Sequence, residues 1–339
     1  MKYQVKIPTR ILGVGNALVD IMIALPDDHF LIDFGLPRGS MTLVDNDQSE
    51  NIFEATKAYR KEVTTGGSAA NTIHALASLG VDCGYAGKVG NDELGEVFSS
   101  EFHKKNIKTH LFPGNLNTGR VMAMVSPDSE RTMATYLGAA ADLYPTEFTQ
   151  ELMDLYDILY VEGYLVQNHD LIKTILQRGY ESGLKVAIDL SSFNIVAQNL
   201  EFLKKIVKDY VHIVFANEEE ALSFTGKDPE QAIREIAELC DLAIVKTGKS
   251  GSLAMFNGEM IRLSPVTANA IDTTGAGDTY AAGFLYGLTH GLDLQQCGDI
   301  ASFVSSRVVE YMGAKIPDNE WNGILEKVKS IERRISPAL

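Results

Sequence analysis

Short apolar runs alternate with longer amphipathic stretches along most of this chain. A short run that is apolar throughout is typical of a strand buried on both faces, as in a parallel sheet. An amphipathic stretch between two such runs is long enough for the helix that connects parallel strands. The sequence therefore predicts an α/β fold with a mostly parallel sheet. The predicted strands cover residues 11–15, 158–161, 186–190, 213–216 and 242–245, and the predicted helices cover residues 71–79, 170–182, 200–208 and 229–239.

Two segments interrupt this alternation. Residues 26–65 contain turn signals and an extended run, and residues 117–136 alternate apolar and polar side chains on both sides of Ser126-Pro127-Asp128. Alternation on both sides of a turn predicts a β-hairpin. We expect these segments to form a small β-rich lid on the main domain, which suits a reaction that excludes water. The expected boundaries are residues 1–16, 66–116 and 142–339 for the large domain and residues 17–65 and 117–141 for the lid.

The charge and cysteine content of the 339 residues exclude several classes of partner. A formal net charge of −15 disfavours nucleic acid or an anionic membrane. We see no apolar segment long enough for a membrane helix and no signal peptide, so we expect a cytoplasmic protein. The three widely spaced cysteines, Cys83, Cys240 and Cys297, are expected to be reduced thiols. An anionic ligand would need local groups to hold it against this net charge.

One segment has the composition of a phosphate site: Ile271-Asp272-Thr273-Thr274-Gly275-Ala276-Gly277-Asp278. Gly275, Ala276 and Gly277 carry little or no side chain, so their N–H groups can approach an anion at the positive end of the helix predicted after them. Asp278 lies in the first turn of that helix, where it would accept a proton from the group that attacks the phosphorus. The alternative is an N-capping aspartate after a glycine loop, which is common. We prefer catalysis, because three further oxygen-bearing side chains lie directly upstream.

Two familiar nucleotide-binding motifs are absent. Gly13-Val14-Gly15 follows a predicted strand, but the third glycine of a dinucleotide fingerprint would fall at Leu18. This argues against an NAD-linked oxidoreductase. Gly248-Lys249-Ser250 lacks the upstream glycine of a Walker A loop. A phosphotransferase with this sequence would therefore use another architecture.

Three other turns could bind phosphate or metal, and each also has a simpler explanation. The double glycine Gly66-Gly67 leads into an apolar helix with Asn71 able to point into the turn, or it is only a tight connection. Asn217 and Glu220 lie on one face of a first helical turn, where they could orient water on Mg²⁺ or form an ordinary acidic helix start. Residues 245–251 end a strand in a donor-rich turn that could hold nucleotide phosphates or be a plain loop.

Together these motifs resemble the two signature regions of the ribokinase-like (PfkB) family of carbohydrate and nucleoside kinases, over nearly the whole chain. Residues 66–71 and 87–95 look like the first signature, and residues 272–278 match the second closely. The resemblance implies a three-layer α/β/α domain with a small β-rich lid, ATP with Mg²⁺ and K⁺ as cofactors, and Asp278 as the catalytic base. It further implies that the anion hole is formed by Gly275, Ala276 and Gly277, and that ATP is bound by Asn217, Thr247, Gly248 and Gly251. Glu220 would lie near magnesium. Potassium would lie near Asp272, Thr274 and the backbone around Gly313.

Several acceptor-site residues resemble the adenosine kinase subfamily. The resemblance implies that Asn16 lines the acceptor site and that Asp20 binds ribose hydroxyls, since a charged acceptor suits a vicinal diol. Arg131 falls where that subfamily carries an arginine over the transferred phosphate, where it would neutralise transition-state charge. The other implied acceptor residues are Gly66, Gly67, Ser68 and Asn71, with Tyr164 and Phe193 as aromatic rings that could stack on a purine or belong to the core.

The identity of the acceptor stays open in the sequence, because Thr274 is typical of ribokinases and fructokinases. The first hypothesis is the 5′-hydroxyl of adenosine, and the alternative is the hydroxymethyl group of a sugar such as ribose, fructose or 2-keto-3-deoxygluconate. A non-catalytic nucleoside-binding protein is a hypothesis of another class, and the retained Asp278 and anion hole argue against it. The bulk of residues 26–59 favours a monomer over a dimer joined through paired lids.

Overall fold

The computed structural model describes residues 1–128 and 130–333 and arranges them as two β-sheets with surrounding helices. Over these residues, no helix is both long and apolar enough to cross a membrane. The strands are β1 (Arg10–Val14), β2 (Leu18–Ala24), β3 (Met41–Leu43), β4 (Lys61–Gly66), β5 (Asp82–Val89), β6 (Lys108–Pro113), β7 (Gly119–Val125), β8 (Arg131–Tyr136), β9 (Ile158–Glu162), β10 (Lys185–Asp189), β11 (Ile213–Asn217), β12 (Leu242–Lys246), β13 (Ser252–Phe256) and β14 (Glu259–Leu263). The α-helices are α1 (His29–Asp33), α2 (Asn46–Ala55), α3 (Ser68–Ser78), α4 (Glu93–Lys104), α5 (Gln150–Met153), α6 (His169–Glu181), α7 (Phe193–Gln198), α8 (Leu200–Tyr210), α9 (Glu218–Thr225), α10 (Pro229–Ile236), α11 (Ala276–Thr289), α12 (Leu294–Val308) and α13 (Trp321–Glu332).

The larger sheet contains nine strands within the described residues, in the order β14-β13-β12-β11-β10-β9-β1-β5-β6. From β12 to β6 in that order, each neighbouring pair is parallel. β13 and β14 add an antiparallel edge. All the strands predicted from apolar runs lie in this sheet, displaced by no more than one residue at either end. The predicted α/β class with a mostly parallel sheet is confirmed.

Helices cover both faces of the larger sheet, because side chains alternate between the two faces along a strand. In β1, Ile11 belongs to the hydrophobic core shared with α3, α11 and α12. Its neighbours Leu12 and Val14 belong to the core shared with α6, α8 and α10. All three side chains are fully buried. The predicted three-layer α/β/α arrangement is therefore present.

The predicted helices are present, although some of their ends differ from the prediction. α6 and α8 begin within a residue of the predicted positions, and α10 ends earlier, at Ile236. α3 begins earlier than predicted, at Ser68, directly after Gly67 with its φ of +96°. The reason is that the small residues at the start of α3 give no amphipathic periodicity, while the left-handed glycine supplies the turn.

The smaller sheet has five strands in the order β3-β8-β7-β2-β4. β7 and β8 pair in antiparallel register, so the predicted hairpin is confirmed. One face of this sheet is covered by the chain's own helices: Ile21 and Met122 are fully buried in the same core as Phe30 of α1 and Ile52 of α2. The opposite face is turned toward a cavity above the larger sheet.

α11 packs closely against α12, and two glycines of α11 make this approach possible. A Cβ atom added at Gly283 would lie 2.7 Å from the Cα of Ala301, and one at Gly287 would lie 2.8 Å from the Cα of Cys297. Both distances are shorter than real Cβ contacts, and the atoms met are backbone atoms that cannot rotate away. The close packing fixes the axis of the helix whose first turn carries Asp278.

We expect Gly283→Ala to destabilise the protein by about 1–3 kcal/mol, because the added methyl group overpacks the contact between α11 and α12. Gly323→Ala in α13 is the matched control, since a Cβ there meets no heavy atom within 4 Å. That change is expected to be neutral or to stabilise by up to about 1 kcal/mol. Urea unfolding of both variants measures the difference, and equal free energies of unfolding would contradict the packing argument.

Candidate active site

A cavity of about 1310 Å³ lies between the carboxyl ends of the parallel strands and the smaller sheet. In open α/β sheets, ligands bind outside the carboxyl ends of the strands. Here each of four adjacent parallel strands ends in a polar residue that lines the cavity, namely Glu162 of β9, Asp189 of β10, Asn217 of β11 and Lys246 of β12. The start of α11 and the inner face of the smaller sheet complete the walls.

Asp278 is partly buried in the first turn of α11 and is held by two side chains of α3. The Ser68 hydroxyl donates to Oδ1 at 2.7 Å, and the Asn71 amide donates to Oδ2 at 3.0 Å. Burial raises the pKa of Asp278 to about 6, although these two hydrogen bonds act in the opposite direction. A carboxylate with this pKa is ionised at neutral pH and is a stronger base than an exposed aspartate.

The turn before Asp278 leaves helix amides available to an anion. Gly275 precedes α11 with a φ of +74°, and a Cβ there would lie 2.7 Å from the Cα of Ala314. The first helical hydrogen bond of α11 runs from Thr279 N to Gly275 O at 2.9 Å. Ala276 N already donates to Thr273 O at 3.2 Å. The amides that remain for an anion at this helix start are therefore those of Gly275, Gly277 and Asp278.

Arg131 connects the smaller sheet to the loop before α11. It stands at the start of β8, and its guanidinium lies 2.6 Å from Asp272 Oδ2 and donates to Thr274 Oγ1 at 2.7 Å. Asp272 Oδ2 also accepts from Gly313 N at 2.6 Å, and its Oδ1 accepts from Thr274 N at 3.0 Å. The side chains predicted to bind potassium thus hold a cationic side chain of the protein itself. In this arrangement they do not fit a metal ion, because their oxygens are already engaged with a positive charge.

Asn217 and Glu220 form a reciprocal cap at the start of α9. Glu220 Oε2 accepts from Asn217 N at 2.8 Å, and Glu220 Oε1 accepts from the Asn217 side chain at 2.7 Å. Burial, with the neighbouring charge of Asp189, raises the pKa of Glu220 to about 7. Carboxylate and amide oxygens in the wall of the cavity fit Mg²⁺, which is commonly bound through one or two carboxylates and substrate phosphates. Within the described parts of the chain, no cluster of three or more His, Cys, Asp or Glu side chains could hold a metal ion alone.

Lys246 lies at the end of β12, and its ammonium group donates to Asp189 Oδ2 at 2.8 Å. Both side chains are largely buried, with 13% and 6% exposed. Burial by itself lowers the pKa of Lys246, but the carboxylates of Asp189, Glu220 and Asp278 outweigh it and raise the pKa above the ordinary value. The lysine is therefore a permanent positive charge inside the cavity at neutral pH.

The acceptor end of the cavity is organised by Glu162. Its Oε1 accepts from Asn16 N at 2.9 Å and from Asn16 Nδ2 at 2.7 Å, and its Oε2 accepts from Ala69 N at 2.9 Å. Glu162 thereby ties the end of β1 to the first turn of α3. Burial raises the pKa of Glu162 to about 7, against these hydrogen bonds.

Asp20 projects into the same end of the cavity from β2. Burial raises its pKa to about 6, and the positive charges of Lys315 and Arg131 oppose this rise. Lys315 itself pairs with Glu101 and donates to Thr64 Oγ1 at 3.1 Å. A partly buried carboxylate with two cations nearby is well placed to accept hydrogen bonds from hydroxyl groups.

Around Asp20, the inner face of the smaller sheet forms an apolar wall of the cavity. Met41 and Leu43 of β3 are 47% and 52% exposed, although both face the cavity. Exposed apolar side chains that face a cavity are a surface for an apolar ligand face. The wall is completed by Leu18, Met22, Val121, Ala123, Met133 and Leu137.

The structure brings most of the predicted site residues into this cavity. Those that line it are Asn16, Asp20, Gly67, Ser68, Arg131, Tyr164, Asn217, Glu220, Gly248, Gly251, Thr274, Gly275, Ala276, Gly277, Asp278 and Gly313. Asn71 and Asp272 lie behind the wall and bond to Asp278 and Arg131, respectively. Gly66 lies against Asp20. Thr247 closes the turn after β12, because its N–H donates to Gly251 O. Phe193 begins α7 outside the cavity, 43% exposed, so the stacking role predicted for it is not supported.

Sequence reasoning did not single out Glu162 or Asp189 as site residues, and it included Lys246 only as part of the donor-rich turn at residues 245–251. Each is the last residue of a buried parallel strand, and each lines the cavity. A polar residue that ends an apolar strand at the carboxyl edge of a parallel sheet was the available signal. It was missed because no glycine turn or motif accompanies it in the sequence.

A partly buried carboxylate beside free helix amides, at the carboxyl edge of a parallel sheet, has the geometry expected of a phosphotransferase site. The family model described as pfkB family carbohydrate kinase matches residues 41–322. The chain is 30% identical to a probable sugar kinase from Rhizobium etli, with a TM-score of 0.84 over 97% of this chain and 99% of that chain. It is 33% identical to adenosine kinase from Sinorhizobium meliloti, with a TM-score of 0.81 over 91% and 96% of the two chains.

Among curated proteins, the chain is 27% identical over 294 residues to 5-dehydro-2-deoxygluconokinase from Shouchella clausii, covering 82% of this chain and 88% of that protein. The chain belongs to the PfkB family of carbohydrate kinases. It is therefore a kinase that transfers phosphate to an alcohol group and uses ATP, as the sequence predicted. Its relatives include both adenosine kinases and sugar kinases.

The pKa of Asp278 predicts the acid limb of the pH–rate profile. Activity requires the ionised carboxylate, so kcat/KM should fall as the pH drops through about 6. Ser68→Ala removes a hydrogen bond that lowers the pKa of Asp278, so the limb should move to higher pH. Ser78→Ala, at the far end of α3, is the control, because its hydroxyl donates to the His74 carbonyl. An acid limb that stays in place in Ser68→Ala would contradict this assignment.

Proposed function

We propose that this kinase transfers the γ-phosphate of ATP to the 5′-hydroxyl of adenosine. The observation that carries the proposal is the mixed character of the acceptor end, where Asp20 and Asn16 lie beside the apolar wall formed by the smaller sheet. The carboxylate suits the ribose hydroxyls, and the wall suits the face of a purine. A simple sugar carries no apolar face of that extent. The adenosine kinase from Sinorhizobium meliloti, at 33% identity, supports the same choice.

Asp278 is the general base in this proposal. Its carboxylate accepts the proton of the 5′-hydroxyl as the new bond to phosphorus forms and the bond to the departing ADP oxygen breaks. Ser68 and Asn71 fix the orientation of the carboxylate through their hydrogen bonds to its two oxygens. Its raised pKa makes it a better proton acceptor while it stays ionised at neutral pH.

The transferred phosphoryl group is held by the amides of Gly275, Gly277 and Asp278 together with Arg131. The guanidinium of Arg131 bonds to Thr274, which directly precedes the glycine turn, so its positive charge lies beside the place where negative charge develops. Asp272 takes part by orienting Arg131. In this proposal, contact with Arg131 replaces the potassium-binding role that the sequence resemblance implied for Asp272 and Thr274.

The nucleotide is proposed to lie along the wall formed by α9 and the turn after β12. Gly248 and Gly251 of that turn line the cavity, and Asn217 and Glu220 stand beside them. Glu220 and Asn217 would hold Mg²⁺ through their oxygens or through water. When bound, Mg²⁺ supplies charge neutralisation on the phosphates of the nucleotide.

We propose that the kinase acts as a monomer in the cytoplasm. The sheet face through which two lids could pair is covered by α1 and α2 of the same chain, with Ile21 and Met122 fully buried beneath them. The three cysteines, all within the described residues, form no disulfide. Free thiols agree with a reducing compartment.

Adenosine should be turned over far faster than any free sugar. ADP release is measured with Mg²⁺ and ATP against adenosine, inosine, ribose, fructose and 2-keto-3-deoxygluconate. The matched control is 5′-deoxyadenosine, which fills the same pocket without the acceptor hydroxyl, so we expect it to inhibit without being phosphorylated. Preferential turnover of a sugar would retain the phosphoryl-transfer chemistry and overturn the purine assignment. No turnover of any acceptor would favour the non-catalytic hypothesis.

Asp278→Asn should lower kcat by roughly 10²-fold or more and leave ATP binding nearly unchanged, because the amide keeps the shape of the side chain but accepts no proton. Asp209→Asn, at an exposed position of α8, is the control and should behave as wild type. Steady-state kinetics and ATP titration measure the two effects separately. Wild-type turnover in Asp278→Asn would exclude Asp278 as the base.

A further inference from the structure

Lys315 is a largely buried lysine to which neither the sequence motifs nor the resemblance gave a role. Its side chain is 15% exposed, and its ammonium group forms an ion pair with Glu101 of α4. The same group donates to the hydroxyl oxygen of Thr64, at 3.1 Å, and to that of Thr65. An ammonium group has three donors, and these three partners use all of them. Lys315 therefore acts on side chains of the protein itself and keeps no donor for a ligand.

The segment that carries Lys315 also touches the anion-binding turn. A Cβ atom at Gly275 would lie 2.7 Å from the Cα of Ala314, the residue directly before the lysine. Thr64, at the other end of the contact, belongs to β4, an edge strand of the smaller sheet. One side chain thus joins the segment behind the anion-binding turn to the edge of the sheet that bounds the acceptor end.

Thr64 stands directly opposite Asp20 where β4 pairs with β2. Residues directly opposite each other in an antiparallel pair lie on the same face of the sheet, with Cβ atoms roughly 5 Å apart. Both residues line the cavity. Within the described parts of the chain, the Asp20 carboxylate accepts no hydrogen bond. The strand pair therefore presents a hydroxyl and an unengaged carboxylate side by side to a ligand.

Lys315 fixes the direction in which the Thr64 hydroxyl donates. An ammonium group only donates, so the hydroxyl oxygen accepts from Lys315 and its own proton points elsewhere. No acceptor among the described residues takes that proton. Since Thr64 lines the cavity, the direction open to the proton is toward a ligand. An ionised Asp20 only accepts, so the two neighbouring side chains have complementary hydrogen-bonding roles.

We propose that Thr64 and Asp20 bind the vicinal diol of the acceptor as a donor–acceptor pair, with Lys315 as the positioning residue for Thr64. Thr64 donates to the oxygen of one hydroxyl, and Asp20 accepts from the diol. The pair thereby selects a ribonucleoside over an analogue that lacks one of the two hydroxyls. This inference rests on the proposed function, because it takes a nucleoside as the acceptor. It adds Thr64 and Lys315 to the acceptor site and leaves the proton transfer at Asp278 unchanged.

Thr65 is the matched control for Thr64. Its hydroxyl accepts from the same ammonium group, but the residue is 1% exposed and is not among those that line the cavity. If Lys315 only held β4 in place, the two threonines would have equal effects on the acceptor. The structure distinguishes them, because the Thr64 hydroxyl reaches the cavity and the Thr65 hydroxyl does not.

The test compares adenosine, 2′-deoxyadenosine and 3′-deoxyadenosine as acceptors for wild type, Thr64→Val and Thr65→Val. Wild type should use adenosine with a kcat/KM at least about tenfold above that of one or both analogues. Thr64→Val should lower kcat/KM for adenosine by at least about tenfold, but by less than about threefold for the analogue that lacks the hydroxyl bound by Thr64. The KM for ATP should not change. Thr65→Val should keep the wild-type preference.

Two outcomes would overturn the donor–acceptor pair while the proposed function stands. One is an equal loss for adenosine and for both deoxy analogues in Thr64→Val, which would show a structural role only. The other is equal use of all three nucleosides by wild type. If wild type phosphorylated no nucleoside, the proposed function would fail, and the assignment of Thr64 with it.

Lys315→Met tests the positioning role in the same assay. Without the ammonium group the Thr64 hydroxyl can rotate, so the preference for adenosine over the deoxy analogue should fall by at least about threefold. This change leaves Glu101 unpaired, so Lys315→Met/Glu101→Gln is the stability control and should recover the thermal midpoint lost by the single variant. Its preference for adenosine should stay low. A wild-type preference in either variant would overturn the role of Lys315.

Discussion

The hydrogen bonds from Ser68 and Asn71 to Asp278 are the interaction on which the rest of the site depends. They join the first turns of α3 and α11, the two helices that begin with glycine turns at the carboxyl edge of the larger sheet. Gly67 and Gly275 both have positive φ values, and both helices rely on them for the sharp entry of the chain. Because α11 is fixed by close packing on α12, the carboxylate is placed by the fold and not by a mobile loop.

Charge balance explains how so many carboxylates share one cavity. Asp278, Asp189 and Glu220 lie near Lys246, and each of the carboxyl groups whose pKa is raised is raised chiefly by burial. In the loop before α11, Asp272 is matched by Arg131 from the smaller sheet. This pair also couples the smaller sheet mechanically to α11, since Arg131 belongs to β8 and Asp272 precedes α11. A movement of the smaller sheet would therefore move a positive charge relative to the anion-binding turn.

Much of the fold could be predicted from the sequence, because strands buried on both faces are apolar along their whole length. The glycine turn with Asp278 was also predictable, because small residues followed by a carboxylate have few structural uses at a helix start. The contact of Arg131 with Asp272 could not be predicted, since it joins a strand of the smaller sheet to the loop before α11 and neither segment signals the other. Asp189 and Glu162 were missed because a single polar residue at a strand end forms no motif, and Lys246 was noted only as part of the turn at residues 245–251. Phe193 was placed in the site by resemblance, and its position at the exposed start of α7 could only come from the structure.

The central claim is that the fold holds Asp278 as a partly buried carboxylate with a raised pKa, ready to accept a proton. The most direct measurement is the carboxyl ¹³C chemical shift of Asp278 as a function of pH, in protein labelled at aspartate and assigned by comparison with Asp278→Asn. The account predicts a titration with a midpoint of about 6. A midpoint below about 4, the range of an exposed aspartate, would contradict it.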